Sequence, residues 1–372
     1  MVAVFSPVAG FPRRSPPGTF SRKVDMKDRN QTITRRHFLK ETAASAGILA
    51  VGSGSFAASV GPARAATAGK DANPFAYDVE RFGKTDPKLI HYEQVGRFAG
   101  PKPDPRRIAI GPEDRVYIAA GNYVTILDRD GKQVSEIALT TAARCVAVAG
   151  DGTIYAGVRD HLEVFDGKGK LLATWESPGK RTWFTGLAVG ENDVFAADAG
   201  NRVVLRYDKS GKLAGRIGEK SKERNIPGLI MPSPYLDVKL GRDGLLRVNN
   251  TGRHRMEAYT ASGDLEFSWG KPSAAIEGFC GCCNPIGLAL LPDGRYVTCE
   301  KGLPRVKVYS PEGVFESVVA GPESFPENAK ATFVKGTEDC RLGGLDAAVD
   351  SQQRIYILDL VTNGVRVMKH KA

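Results

Sequence analysis

Three of the six cysteines fall within four residues, in Glu277-Gly278-Phe279-Cys280-Gly281-Cys282-Cys283-Asn284-Pro285, and another stands in Glu338-Asp339-Cys340-Arg341. Thiolate sulfur is soft and gives up its proton on binding, so such a cluster favours soft or borderline ions and iron–sulfur clusters. The spacing is neither a zinc-ribbon C-x-x-C pair nor a ferredoxin run. Disulfides are the alternative: Cys340 with one of the three, or a strained vicinal Cys282–Cys283 ring, as an oxidising compartment would allow. Spacing assigns neither connectivity nor ligand. Cys280, Cys282, Cys283 and Cys340 therefore stand as one candidate site, metal-ligating, or alternatively disulfide-bonded or free thiols. Cys145 and Cys299 lie inside apolar β runs and read as small buried hydrophobes.

The elements that must position this site repeat. Six times the chain runs through a short apolar stretch, an Asp- or Gly-bearing turn, a second β stretch, a polar link and a third β stretch. The first stretches are Arg107 to Ile110, Cys145 to Val148, Gly186 to Val189, Leu236 to Leu240, Gly287 to Leu291 and Leu345 to Val349. β-Branched and aromatic side chains dominate, with no helical period. Spacings of roughly 40 residues, growing to 50–60 in the later copies, suit β-propeller blades with insertions. Each blade is a sheet that buries its faces on its neighbours, and closure of the ring removes exposed edges. His91 to Phe98 is expected to supply the outer strand that completes the last blade. On this arrangement the cysteine loop joins the outer strand of blade four to the inner strand of blade five, and Cys340 occupies the equivalent link into blade six.

Ala197-Asp198-Ala199-Gly200-Asn201-Arg202-Val203 resembles the core of the NHL repeat, in which Asp and Asn bracket the turn between second and third strands. The last copy repeats it with Asp359, Asn363, Val365 and Arg366; the fourth loosens it between Asn249 and Arg255, and the fifth has Glu300 in place of the Asp. The resemblance runs from about residue 95 to the end and implies an all-β fold, a six-bladed β-propeller of NHL-type repeats. The phrase GFCGCCNP, together with PDGRYVTCEKGLPRVKVYSPEG after it, is also similar to exported NHL proteins of environmental bacteria.

The formal charge of +10 is unevenly spread, since residues 1–65 hold ten of the 52 basic but only three of the 42 acidic side chains. The remainder is nearly balanced, which argues against a nucleic-acid partner. Thr34-Arg35-Arg36-His37-Phe38-Leu39-Lys40 resembles the twin-arginine export consensus, and an uncharged, mildly apolar stretch from Thr42 to Pro62 follows it. A membrane span needs about 20 strongly apolar residues, so this stretch reads as a signal sequence that meets the membrane only during export. Ala63-Arg64-Ala65 offers a cleavage site. The organisation expected is a signal peptide over 1–65, with 1–25 a mis-called start if Met26 initiates, a lead-in over 66–94 and a propeller over 95–372. The destination implied is periplasmic or secreted.

Catalytic machinery is sparse. After residue 65 the histidines are His91, His161, His254 and His370, none on an expected inner strand, and no Ser-His-Asp phrase, nucleophile elbow or phosphate-cradling glycine loop occurs. No catalytic residue is assigned. Asp237 and Asp346 sit at inner-strand positions where charge is unusual and read as a solvated channel wall, as Arg253-His254-Arg255 reads as a solvated hairpin. The function expected is a scaffold that binds a protein or peptide at a propeller rim, within a redox or electron-transfer assembly if the cysteines hold a metal. The alternative is a metal-dependent hydrolase or lyase working in the central channel.

Overall fold

A computed structural model describes residues 82–332 and 343–372, which belong to the unit Asn73–Ala372. The expected signal segment and Cys340 lie outside the described residues. Strand β1 (Tyr92–Ala99) opens the fold. Blade one follows as Pro105–Ile110, Val116–Ala120, Tyr123–Leu127 and Gln133–Ala138 (β2–β5), and blade two as Cys145–Val148, Ile154–Gly157, Leu162–Phe165 and Leu171–Trp175 (β6–β9). Blade three comprises Phe184–Val189, Asp193–Asp198, Val203–Asp208 and Leu213–Ile217 (β10–β13); blade four comprises Val238–Leu240, Leu246–Asn250, Arg255–Tyr259 and Leu265–Trp269 (β14–β17). Blade five is Gly287–Leu290, Tyr296–Cys299, Val306–Tyr309 and Phe315–Ala320 (β18–β21). A short helix, Pro326–Thr332 (α1), precedes blade six, Leu345–Val349, Ile355–Asp359 and Gly364–His370 (β22–β24).

Each blade is a four-stranded antiparallel sheet, and the sixth takes β1 as its outer strand in the order β1-β24-β23-β22. Tyr92 lies opposite His370 and Ala99 opposite Gly364, so the first and last strands of the described fold close one sheet. The six inner strands neighbour one another in a closed circuit from β2 through β6, β10, β14 and β18 to β22 and back. The protein is therefore a six-bladed β-propeller, as the repeats imply.

The blades interlock through their outermost turns. In blades one to three Asp128, Asp166 or Asp208 stands at the start of the turn after the third strand, its carboxylate accepting the amides two and four residues on at 2.9–3.0 Å. Ser310 does the same in blade five, at 3.2 Å. Between those amides sits a glycine at positive φ, the conformation glycine adopts without steric cost: Gly131, Gly169, Gly211 and Gly313, with Gly263 in blade four. A Cβ there would meet an outer-strand side chain of the preceding blade: Phe98 at 2.2 Å from Gly131, Trp175 at 2.6 Å from Gly211 and Trp269 at 2.2 Å from Gly313. Ile137 and Ile217 fill the corresponding places at Gly169 and Gly263, at 3.1 and 3.5 Å. These five turns share one packing device. Blade six has no such turn because its outer strand comes from the other end of the fold.

Candidate functional site

One register position lies at the heart of the ring. The inner-strand residues opposite Ala119, Gly157, Ala197, Cys299 and Leu358 are Arg107, Cys145, Gly186, Gly287 and Asp346. In blade four Asp237 takes the place, its carbonyl accepting from the Asn249 amide at 3.4 Å. Arg107 spans the axis. Its Nε donates to the Thr185 carbonyl at 2.7 Å, and its Nη atoms donate to the carbonyls of Ile286 and Leu236 at 3.4 and 3.3 Å. Nη1 also lies 2.8 Å from Asp346 Oδ1 and 3.5 Å from Asp237 Oδ2. One side chain from blade one thus touches blades three, four, five and six.

The two carboxylates are fully engaged. Asp346 Oδ2 accepts from the Ile108 amide at 2.8 Å, and Asp237 accepts from the amides of Leu288 and Val238 and from Lys239 Nζ, at 3.1, 2.9 and 2.9 Å. The glycines make room for them: a Cβ at Gly186 would stand 2.6 Å, and one at Gly287 3.0 Å, from the adjoining carboxylate. Asp237 and Asp346 are 0% and 1% exposed, which overturns the expected solvated channel wall. Desolvation works against the charge on Arg107, yet Asp237 and Asp346 raise its pKa above the ordinary arginine value. Cys145 within this layer and Cys299 beside it are buried, as their apolar surroundings suggested. Burial pushes the Cys145 thiol up to about 12, opposed first by Arg107, and pushes Cys299 well above its usual range.

The cysteine loop lies where a link enters an inner strand, and the acidic position at the end of the neighbouring second strand holds it. In blade three Asp198, at the end of β11, accepts from the Trp183 amide at 2.9 Å and from Asn201 Nδ2 at 2.7 Å, clipping the incoming link to its own turn. The equivalent Asn250 of blade four accepts from the Ile230 amide at 3.0 Å. Blade five has the longer Glu300, buried against Arg305 at 2.6 Å and Lys307 at 2.5 Å, with Oε2 accepting from the Cys280 amide at 3.4 Å. Arg305 and Lys307 extend the anchor: each donates to the Gly278 carbonyl, at 3.4 and 2.6 Å, and Lys307 also reaches the Ile276 carbonyl. Desolvation lowers the Lys307 pKa to about 8 against the pull of Glu300. Asn284 then staples the loop's end, donating to the carbonyls of Cys280 and Lys301 and accepting from the Lys301 amide.

On this frame Cys283 is buried, Cys280 half-buried and Cys282 exposed. Cys282 and Cys283 Sγ lie 3.3 Å apart, against about 2.05 Å for a covalent S–S bond. Burial pushes the Cys280 thiol up, with Arg305 the first opposing influence. Among the described residues no group of three or more His, Cys, Asp or Glu side chains is placed to hold a metal ion. Of the expected four-cysteine site, the structure gathers Cys280, Cys282 and Cys283 on one loop. His254, in the expected hairpin and partly exposed, closes a 2.6 Å contact between Nε2 and the Gly281 carbonyl. Sequence reasoning missed Arg107 and the Glu300–Arg305–Lys307 cluster. The available signal for the first was its shared register with Asp237 and Asp346; for the second it was Glu300 at the repeated acidic turn position with two basic residues a few places on.

A second feature opens on the links that lead into blades two to four. It is a pocket of about 520 Å³ over Arg107 and Thr185, with Arg144, Trp183, Met231 and Tyr235 on its walls. Asn249 Nδ2 bridges it to the cysteine loop, donating to the carbonyls of Tyr235 and Pro285, each at 2.9 Å.

The class this fold defines, the six-bladed β-propeller, has many chemistries. No protein-family model and no curated protein matches the chain. Among solved structures, a protein of unknown function from Bacteroides thetaiotaomicron is similar with a TM-score of 0.53 at 12% identity, over 74% of this chain and 75% of that one. The virginiamycin B lyase of Staphylococcus aureus gives 0.47 at 13% identity, over 75% and 99%. Likeness at such identities is one of fold.

Proposed function

We propose that this chain is an exported, non-enzymatic binding module, a propeller of NHL-type repeats that docks a protein or peptide partner on the rim carrying the cysteine loop. The observation that carries the reading is Arg107. It spans the axis and engages both axial carboxylates, the groups a channel hydrolase or lyase would need to present to a metal or substrate. Chemistry is left to the rim, where buried ionic and amide anchors hold a loop rigid while presenting Cys282. Rigid loops on a rigid ring bind with little ordering cost. The thiols of Cys280, Cys282 and Cys283, with Cys340, serve on this reading as a metal site or as disulfides, within a redox assembly in the first case. The Arg35-Arg36 pair would direct the folded protein to the periplasm.

Photo-crosslinking tests the docking reading. A photoreactive residue is placed in turn at Lys271 and Glu277 on the loop side and at Arg242 and Glu312 in hairpin turns at the other ends of the strands. Adducts confined to the loop side support the reading; adducts confined to the opposite turns overturn it.

A further inference from the structure

The pocket beside the cysteine loop has the composition of an anion receptor. Arg106 and Arg144 line it and Arg159 stands outside it against Trp183; none of the three has an ion-pair partner among the described residues, and Arg107, paired with Asp237 and Asp346, forms the floor. The guanidinium of Arg144 lies 4.9 Å, and that of Arg159 5.6 Å, from the ring centroid of Trp183. Two polar groups in the pocket are buried and unsatisfied. Ser233 is 4% exposed, and its Oγ, like Arg144 Nε, has no hydrogen-bond partner among the described residues. A buried donor left unmade costs free energy, and native proteins carry few. Desolvation, then the charges of Arg106 and Arg159, lower the Arg144 pKa. Arg106, Arg144 and Arg159, none of them ion-paired among the described residues, repel one another in the absence of an anion. The remaining walls are apolar, with Met231, Pro234 and Leu360 facing the same space as Trp183.

We propose that this pocket binds a small organic carboxylate, its anionic end held by Arg144, Ser233 and Arg106 and its apolar body seated against Trp183 and Met231. Planar guanidinium groups match a carboxylate through two parallel donors, which favours this charge over a neutral ligand. A volume of about 520 Å³ suits a small molecule and lies within the range of known ligand pockets. The inference goes beyond docking of a macromolecular partner and stands whether or not one docks on the rim.

The test is titration of the purified protein with benzoate, inorganic phosphate and a short single-stranded RNA, read by calorimetry and tryptophan fluorescence. Saturable benzoate binding that quenches the fluorescence is expected, with Arg144→Met weakening it about tenfold or more and Ser233→Ala weakening it less. Without ligand, Arg144→Met should melt at the parent's temperature or above it, because the change relieves repulsion and breaks no hydrogen bond. Phosphate or RNA binding as tightly as benzoate would overturn the carboxylate assignment. So would absence of saturable benzoate binding at millimolar concentration, or an Arg144→Met protein that melts lower yet binds benzoate unchanged.

Discussion

Arg107 and Asp346, 239 residues apart in sequence, meet at 2.8 Å between Nη1 and Oδ1 on the axis of the ring. Asp346 Oδ2 simultaneously holds the Ile108 amide, so blades one and six are joined side chain to side chain and side chain to backbone. A propeller's last interface forms only when the chain's distant parts find each other. Here a buried charge-assisted contact sits at that seam. Such a pair is weak evidence for added stability, because desolvation offsets attraction, but breaking it from one side is costly.

The glycine turns predict a matched pair of substitutions. Gly313 and Gly294 both hold positive φ, at 85° and 90°, but a Cβ on Gly313 would stand 2.2 Å from Trp269 while one on Gly294 would find nothing nearer than Pro311 at 3.6 Å. Gly294→Ala should therefore cost only the conformational strain of about 1 kcal/mol. Gly313→Ala should cost a further 1–3 kcal/mol, roughly, from overpacking against blade four. Equal losses in urea unfolding would show that the turn glycines serve conformation alone.

Buried thiols predict loss of stability in alkali. The folded Cys145 pKa of about 12 exceeds the unfolded value near 9, so its contribution is complete below about pH 9 and is lost as pH rises from 9 to 12. By pH 10.5 the loss should be about 2 kcal/mol for this thiol. Urea unfolding at pH 8 and 10.5 checks this: Cys145→Ala should lose less stability than the parent over that interval. Identical losses, or alkylation of Cys145 in the folded protein at pH 8, would contradict the burial.

The anchor beneath the cysteine loop predicts a specific failure. Glu300→Gln leaves Arg305 and Lys307 buried without their countercharge and should cost about 3–5 kcal/mol. It should also make the stretch from Lys271 to Asn284 the first target of limited proteolysis, since the carbonyl at Gly278 and the amide at Cys280 are held through that cluster. A variant that unfolds within about 1 kcal/mol of the parent and cleaves elsewhere first would remove the cluster from this role.

The ring was legible in the sequence because its signals are local and repeated. Each Asp-x-x-Gly turn, each apolar run and the Asp198 and Asp359 motifs announce themselves within a few residues, and the closing strand at His91 to Phe98 could be placed by counting what the last blade lacked. The axis was not legible for the opposite reason. Whether Asp237 faces water or Arg107 depends on six strands meeting, and Arg107 looks from its neighbours like one more basic residue beside Arg106. Burial of Asp346 likewise rests on Gly287 having no side chain, a condition set 59 positions away. The cysteine loop falls between: its clustering was visible, but not its fixing by Glu300 or the contact from His254.

The central claim is that the axis is a structural hub and leaves function to the rim. A double-mutant cycle on Arg107→Met and Asp346→Asn, read by urea unfolding, tests it most directly. Each single change should cost about 3–5 kcal/mol by stranding its buried partner, and the double variant should lose at least about 1 kcal/mol less than the two combined. An Arg107→Met protein as stable as the parent, or strict additivity with Asp346→Asn, would contradict it and make the axis a candidate for function again.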